Sequence, residues 1–510
     1  MGSGIRDVSE VRVGRLLARP GDGPCLYGAT ITLRDGRVAA VEASGDPASA
    51  GEGRRFIALP ALTNPHDHGR GLRHVAVGAR DQMFELWRPA LYALPPLDPY
   101  LNAAVAFARQ ARAGVGSIVE VYSSIRTDRL LDDAIAICRA ARDVGVRLSF
   151  VVPMRDQMTL GYAPDDDLLR RHDPRDHDLI RRTWLYPFPS PGEYMEVVKA
   201  VAAACEGPLV TIQYGPNSPY ACSDALLERL AAASASDGRR IQTHLLETHT
   251  QQEWADTTYK GGYLRHLDAL GLLSQRFSGA HGVWLRPEDC DLLAERGAAI
   301  AVNTSSNMRL RSGIAPVGQF IKSGLDFGIA IDSFSFDDDD DAFREVRLTH
   351  WLHSMSYAEH PLTPARLFGA ALQTGFRIAN NADGYGAIEP GAPADFVLLD
   401  YEAMAYDAMA GMVDEIDIVL TRACNRFVER VYVAGREIVR DGKLLGIRLR
   451  RGRGRAADEG TGGGHIHGHP SAGPAAVAGH ARIVLQGRRS PRRVAGVKTA
   501  RRSAIDRLEP

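Results

Sequence analysis

His66 and His68 stand two apart in LTNPHDHG. In an extended segment that spacing turns both imidazoles the same way, so the pair can grip one ion. His244 in IQTHLLET, His281 in SGAHGVWL and Asp332 in FGIAIDSF each close a short apolar run much further along the chain. Imidazole nitrogens and a carboxylate oxygen at ~2.0–2.2 Å suit Zn²⁺, and an open coordination position would hold water. Fe²⁺ or Mn²⁺ can occupy the same kind of donor set. A lone His-x-His is common in surface and structural roles, so the weight comes from all five residues together. Glu247, three residues after His244, adds an acid at the same place; without that histidine it would read as a surface carboxylate.

These residues lie far apart in sequence and need a scaffold that gathers them. Short apolar runs at 58–64, 117–122, 147–152, 209–214, 240–244, 277–281, 299–303 and 327–332 alternate with helical stretches such as LNAAVAFARQARA and RLLDDAIAICRAARDV. Continuous apolar strands separated by helices imply a parallel sheet buried on both faces. Eight such units close naturally into an α/β (β/α)8 TIM barrel. The histidines and Asp332 all fall at strand C-termini, which converge on one mouth where barrel active sites lie.

Both ends of the chain are β-like. CLYGATITLRDGRVAAVEA places Asp35-Gly36 at a hairpin turn, and GAIEPGAPADFVLLD and VYVAGREIVRDGKL alternate in the same way. Neither piece can bury a good core alone. Residues 1–60 plus 384–448 are therefore expected to form one composite β-sandwich beside a catalytic barrel of residues 61–383. The Gly/Arg/His-rich, basic segment 449–510 reads as a disordered tail. His465, His467 and His469 in that tail could bind a metal loosely, but a solvated segment accounts for them more simply.

The 510 residues carry a net charge of −1, which argues against a whole-chain nucleic-acid or anionic-membrane binder and leaves a contact through the basic tail open. The six cysteines, Cys25, Cys138, Cys205, Cys222, Cys290 and Cys424, are far apart with no CxxC, so neither a disulfide framework nor a zinc ribbon is indicated. With no apolar run of ~18 residues and no signal-like start in MGSGIRDVSE, the expected location is the cytoplasm. The acidic run Asp337–Asp341 lacks the spaced oxygens and turn glycine of a calcium loop and reads as a solvated helix N-terminus.

PALTNPHDHG, GPNSPYACSD, THLLET, AHGVWL, NTSSNMRLRSGIAP and the Asp332 strand end, followed by GAIEPGAPADFVLLD, occur in the order found in one family. Over residues 10–447 the chain resembles the amidohydrolase superfamily, in its mononuclear branch of cytosine-, guanine- and adenosine-type deaminases and chlorotriazine hydrolases. The resemblance implies one divalent metal, by preference zinc, held by His66, His68, His244 and Asp332. It implies that Asp332 accepts the proton of the attacking water, that His281 hydrogen-bonds the water or the developing oxyanion, and that Glu247 shuttles protons. It also implies a homodimer acting on a small heterocycle. The strand LVTIQYGPN has no lysine for a two-metal centre, and the H-x-E with P-C-x-x-C of the other zinc deaminases is missing.

The expected reaction is deamination of a purine, pterin, pyrimidine or triazine. The alternative is hydrolysis of another C–N, C–Cl or ring amide bond at the same metal. Asn217 stands where many relatives carry a histidine, and it cannot supply an imidazolium charge. Arg70 and Arg73 after the first strand, and Arg155 and Gln157 after the third, could read an anionic or carbonyl-bearing substrate through bidentate contacts. Trp87, Phe334 and Phe336 are candidate pocket walls, with core packing an equal alternative.

Overall fold

A computed structural model describes residues 8–92, 97–123, 127–336, 339–354, 362–380, 385–409, 411–450 and 482–485. Four strands open the chain: β1 (Ser9–Leu16), β2 (Leu26–Arg34), β3 (Arg37–Ala43) and β4 (Phe56–Pro60). Asp35 and Gly36, at φ 53° and 78°, make the expected tight turn between β2 and β3.

Eight parallel strands follow: β5 (Leu62–Asp67), β6 (Val115–Val121), β7 (Arg147–Met154), β8 (Val210–Pro216), β9 (Ile241–Leu245), β10 (Phe277–His281), β11 (Ala299–Val302) and β12 (Asp326–Ile329). They pair in sequence order from β5 to β12. A bridge between Asp67 and Asp332 brings the two ends of the sheet together at the mouth, where Asp332 N donates to His66 O at 2.9 Å. Asn64 fastens the same seam, accepting from Ile331 N at 3.0 Å and donating to Asp67 Oδ2 at 2.9 Å. At the opposite end the segment Gly375–Asn380 plugs the barrel, its Ile378 and Ala379 packing on Val119, Val121 and Val151.

β13 (Phe396–Asp400), β14 (Val428–Val433), β15 (Arg436–Arg440) and β16 (Lys443–Leu444) return to the first sheet, whose order is β16-β15-β14-β13-β4-β1-β2-β3. Ala394 N donates to Gly36 O and Gly435 N to Ala394 O, so the β2–β3 turn meets the β14–β15 turn and the sheet folds over on itself. Val13, Leu16, Ile31, Phe56, Phe396 and Leu398 fill the space inside. The composite β unit is thus built from both chain ends, beside a (β/α)8 barrel.

Three expectations change. The run 58–64 is two strands: β4 joins the sheet, β5 joins the barrel, and Ala61 lies at the switch with its N–H on Asp395 O. An apolar run carries no mark of a change of partner, because both strands are buried. The acidic run is not simply solvated. Asp340 takes the guanidinium groups of Arg109 and Arg73, and Asp341, 5 % exposed, bonds Phe343 N and lies 3.7 Å from Arg347. Asp337 and Asp338 lie outside the described residues. In the segment read as a disordered tail, the backbone of Arg482–Leu485 (β18) pairs antiparallel with Ile447–Arg450 (β17). His465, His467 and His469 lie outside the described residues. No described helix is long and apolar enough to cross a membrane.

Candidate metal centre and active site

Because each barrel strand ends at the same face, His66 from β5, His68 just beyond it, His244 from β9, His281 from β10 and Asp332 beyond β12 meet in one buried cluster. Donor atoms of His66, His68 and Asp332, and those of His66, His244 and His281, lie within 4.8 Å of one another. Asp332 Oδ1 is 3.5 Å from His66 Nε2 and 3.2 Å from His68 Nε2, and His244 Nε2 is 3.3 Å from His68 Nε2. His281 and Asp332 have φ of 75° and 67°, a conformation that non-glycine residues adopt at a cost of order 1–3 kcal/mol and that tends to mark functional sites.

The far side of each imidazole is anchored. His66 Nδ1 bonds Gln242 Oε1 at 2.9 Å, His68 Nδ1 bonds Val121 O at 2.7 Å, His244 Nδ1 bonds Asn217 O, and His281 Nδ1 bonds Asn307 Oδ1 at 2.9 Å. Donation from each Nδ1 leaves Nε2 facing the centre with a free lone pair, the arrangement outer partners impose on metal-binding histidines. His66 Nε2 is buried with no hydrogen-bond partner, which would be costly unless something else occupies that side.

Burial and the neighbouring charges of Arg70 hold His68 at about 4. Burial and the other imidazoles hold His244 well below its usual range, and burial also lowers His281. These rings are neutral at pH 7. Burial would raise Asp332, but its contacts with His66 and His68 outweigh that and leave it well below the usual carboxylate range. Ser306 Oγ donates to its Oδ2. One carboxylate among buried imidazoles is a donor set that fits a divalent metal.

Glu247 is 2 % exposed, and its Oε2 lies 3.9 Å from His281 Nε2. Burial, then the charges of Asp332 and Glu85, push its carboxyl well above the usual range, which favours its protonated form. Gln242→Leu should weaken metal binding about 10–100-fold by releasing His66. Competition with a chromogenic chelator reads that out, and unchanged affinity would refute the anchoring role.

A cavity of about 630 Å³ opens above the cluster, reaching His68, His244, Glu247, His281 and Asp332. Asn217 and Trp87 line it. Asn217 also acts through its main chain, which orients His244, so part of its contribution is independent of side chain. Trp87 stacks on Phe336 and meets His74 edge-on, both at 4.9 Å between ring centres. Phe334 is fully buried in the core.

Arg73 and Gln157 are not in the cavity lining. Arg73 turns to Asp340, and Gln157 Nε2 donates to Tyr220 O and Cys222 O at 3.0 and 3.1 Å, bracing the loop beyond β8. The basic wall comes instead from Arg70, Arg88, Arg155 and Arg182. Sequence reasoning missed Gln242, Ser306, Asn307, Arg88 and Arg182. Gln242 carried a signal, being a polar residue two before His244 and so on the same face of a buried strand.

The sequence profile of the amidohydrolase family matches residues 57–438. A 5'-deoxyadenosine deaminase of Methanopyrus kandleri is 26% identical over 404 residues, covering 77% of this chain and 83% of its own. An 8-oxoguanine deaminase of Pseudomonas aeruginosa is 26% identical over 430 residues, covering 82% and 91%. Among solved structures, an adenosine deaminase from Xanthomonas campestris with bound zinc superposes with a TM-score of 0.68 at 22% identity, over 86% of this chain and 94% of that one. An atrazine chlorohydrolase from Arthrobacter aurescens complexed with zinc gives 0.69 at 20% identity, over 86% and 96%.

A buried histidine–carboxylate cluster at the mouth of a (β/α)8 barrel defines a metal-dependent hydrolase. The chain belongs to the amidohydrolase family, and it is a hydrolase acting on carbon–nitrogen bonds.

Proposed function

We propose that the protein deaminates an N-heterocycle, using one zinc ion held by His66, His68, His244 and Asp332. The observation that carries this is the pairing of an imidazole and carboxylate donor set with the buried Glu247 across the same cavity. Two relatives named as deaminases, matched over most of both chains, support the reaction type. The ion, when bound, supplies Lewis-acid activation, lowering the pKa of water toward ~7.

The protein's residues do the rest. Asp332 accepts a proton from the attacking water at its carboxylate, and His281, locked by Asn307, offers Nε2 to the oxygen as it adds to the ring carbon. Glu247 delivers its proton to the adjacent ring nitrogen, making that carbon more electrophilic, then takes the hydroxyl proton of the adduct as the carbonyl forms and passes it to the departing amine; the proton left on Asp332 restores the starting state. The seam of Asn64, Asp67 and the β12 end holds these groups in register.

The cavity wall narrows the substrate. Of its four arginines, Arg155 and Arg182 make no ion pair among the described residues. A carboxylate or another anionic substituent on the ring would find a bidentate guanidinium partner there. The test is ammonia release from aminopurines, pterins, pyrimidines and triazines, each in neutral and carboxylated form, by zinc-loaded and metal-stripped protein. Metal-dependent ammonia, faster from the carboxylated member, is expected. Metal-dependent turnover that releases chloride or an alkylamine instead would replace deamination by the alternative bond cleavage.

A further inference from the structure

The helix Phe84–Tyr92, in the connection after β5, walls the cavity with Phe84, Trp87, Arg88 and Leu91. Its Glu85 serves two other connections. Glu85 Oε1 accepts from Thr248 Oγ1 at 2.6 Å and from Tyr162 Oη at 3.2 Å, so hydroxyls from beyond β9 and β7 meet at one carboxylate oxygen. Thr248 follows Glu247 and is buried. Its oxygen already accepts from Gln251 N at 3.3 Å, capping the helix His249–Thr258, so its single proton goes to Glu85. Gln251 Oε1 in turn takes Glu247 N–H at 2.7 Å. Arg88, three residues after Glu85, ties the same wall to Tyr220 Oη at 3.0 Å and to Thr159 O.

A hydroxyl donating to a carboxylate at this length makes one of the stronger side-chain hydrogen bonds, and a buried threonine has no water to turn to when its acceptor is removed. Thr248 and Gln251 fix the backbone at Glu247, so a group that holds Thr248 also aims the acid. We propose that Glu85 is a positioning residue: it clasps the helical wall of the cavity to the segment carrying Glu247, so that the acid faces the ring only while that wall is seated. The inference rests on Glu247 being the proton shuttle of the proposed reaction, and it adds how that shuttle is aimed. A glutamine at 85 keeps an acceptor oxygen for both hydroxyls, whereas an alanine keeps none.

The experiment reads the clasp from both sides by amide hydrogen exchange, with turnover measured separately. Zinc-loaded wild type, Glu85→Ala, Glu85→Gln, Thr248→Val and Thr248→Ser are compared, with metal content and melting temperature recorded. Glu85→Ala should speed exchange ~10-fold or more in residues 246–252, and Thr248→Val should do the same in residues 84–92, because each segment is held by the other. Glu85→Gln and Thr248→Ser, which keep the bond, should stay within ~3-fold of wild type in both segments. With whichever amine of the panel releases ammonia, Glu85→Ala should lower kcat ~10-fold or more and change KM less, while Glu85→Gln recovers most of the rate. Should Glu85→Ala fail to fold, Thr248→Val carries the same test from the other side of the bond.

Faster exchange confined to the substituted segment overturns the proposal, as does a glutamine variant that behaves like the alanine one. Reciprocal loosening with kcat unchanged, or a rate loss that merely tracks loss of zinc, overturns it as well. Reciprocal loosening with no ammonia from any amine would instead remove the deamination reading and leave the clasp on the Glu247 segment standing.

Discussion

Asp332→Ala should empty the metal site and take turnover below detection. Asp332 is the one anion touching the imidazoles: its Oδ1 lies 3.2–3.5 Å from His66 and His68 while Ser306 holds its other oxygen. Its removal leaves only imidazoles to hold a doubly charged ion, and it deletes the group proposed to take the water's proton. Loss of a mere outer partner already costs metal sites 10–100-fold, and loss of a charged ligand should exceed that. His66→Ala should behave alike. Metal analysis after gel filtration, beside turnover, checks both; a variant retaining about one equivalent of zinc would remove Asp332 from the ligand set.

Glu247→Gln should keep its metal and lose turnover by ~10²-fold or more, the scale expected for deleting an acid–base group. Glutamine is isosteric, and Glu247 lies 3.9 Å from His281 without belonging to either donor group that could hold the ion. The donor set is therefore untouched, while the proton held by burial and by the charges of Asp332 and Glu85 is gone. The loss should fall in kcat, with substrate affinity little changed, because the proton is needed at the barrier and not for binding. Near-normal turnover would assign the shuttle elsewhere, and loss of metal would show that the carboxyl is structural.

The site was legible in the sequence to the extent that it is made of strand ends. His66, His68, His244, His281 and Asp332 each follow a short apolar run, and a parallel barrel sends every such end to one face. The β hairpin at Asp35-Gly36 was readable for a similar reason: positive φ at two successive residues is a local demand that those residue types meet. The division of 58–64 between sheet and barrel was not readable, since burial on all sides erases the difference between the two partners.

By itself, then, the sequence determined the residue types of the candidate metal site, their common destination and the acid beside them, because strand periodicity and strand termination are short-range properties. Only the tertiary structure decided which polar groups face the cavity. Arg73 and Gln157 have the right chemistry and nearby sequence positions, yet Asp340 and the carbonyls of Tyr220 and Cys222 draw them away. Arg182, from the helix His177–Trp184, takes a place in the cavity wall instead. Those outcomes follow from contacts between residues tens to hundreds of positions apart, and a side chain in a loop or on a helix goes to whichever partner the packed barrel brings within reach.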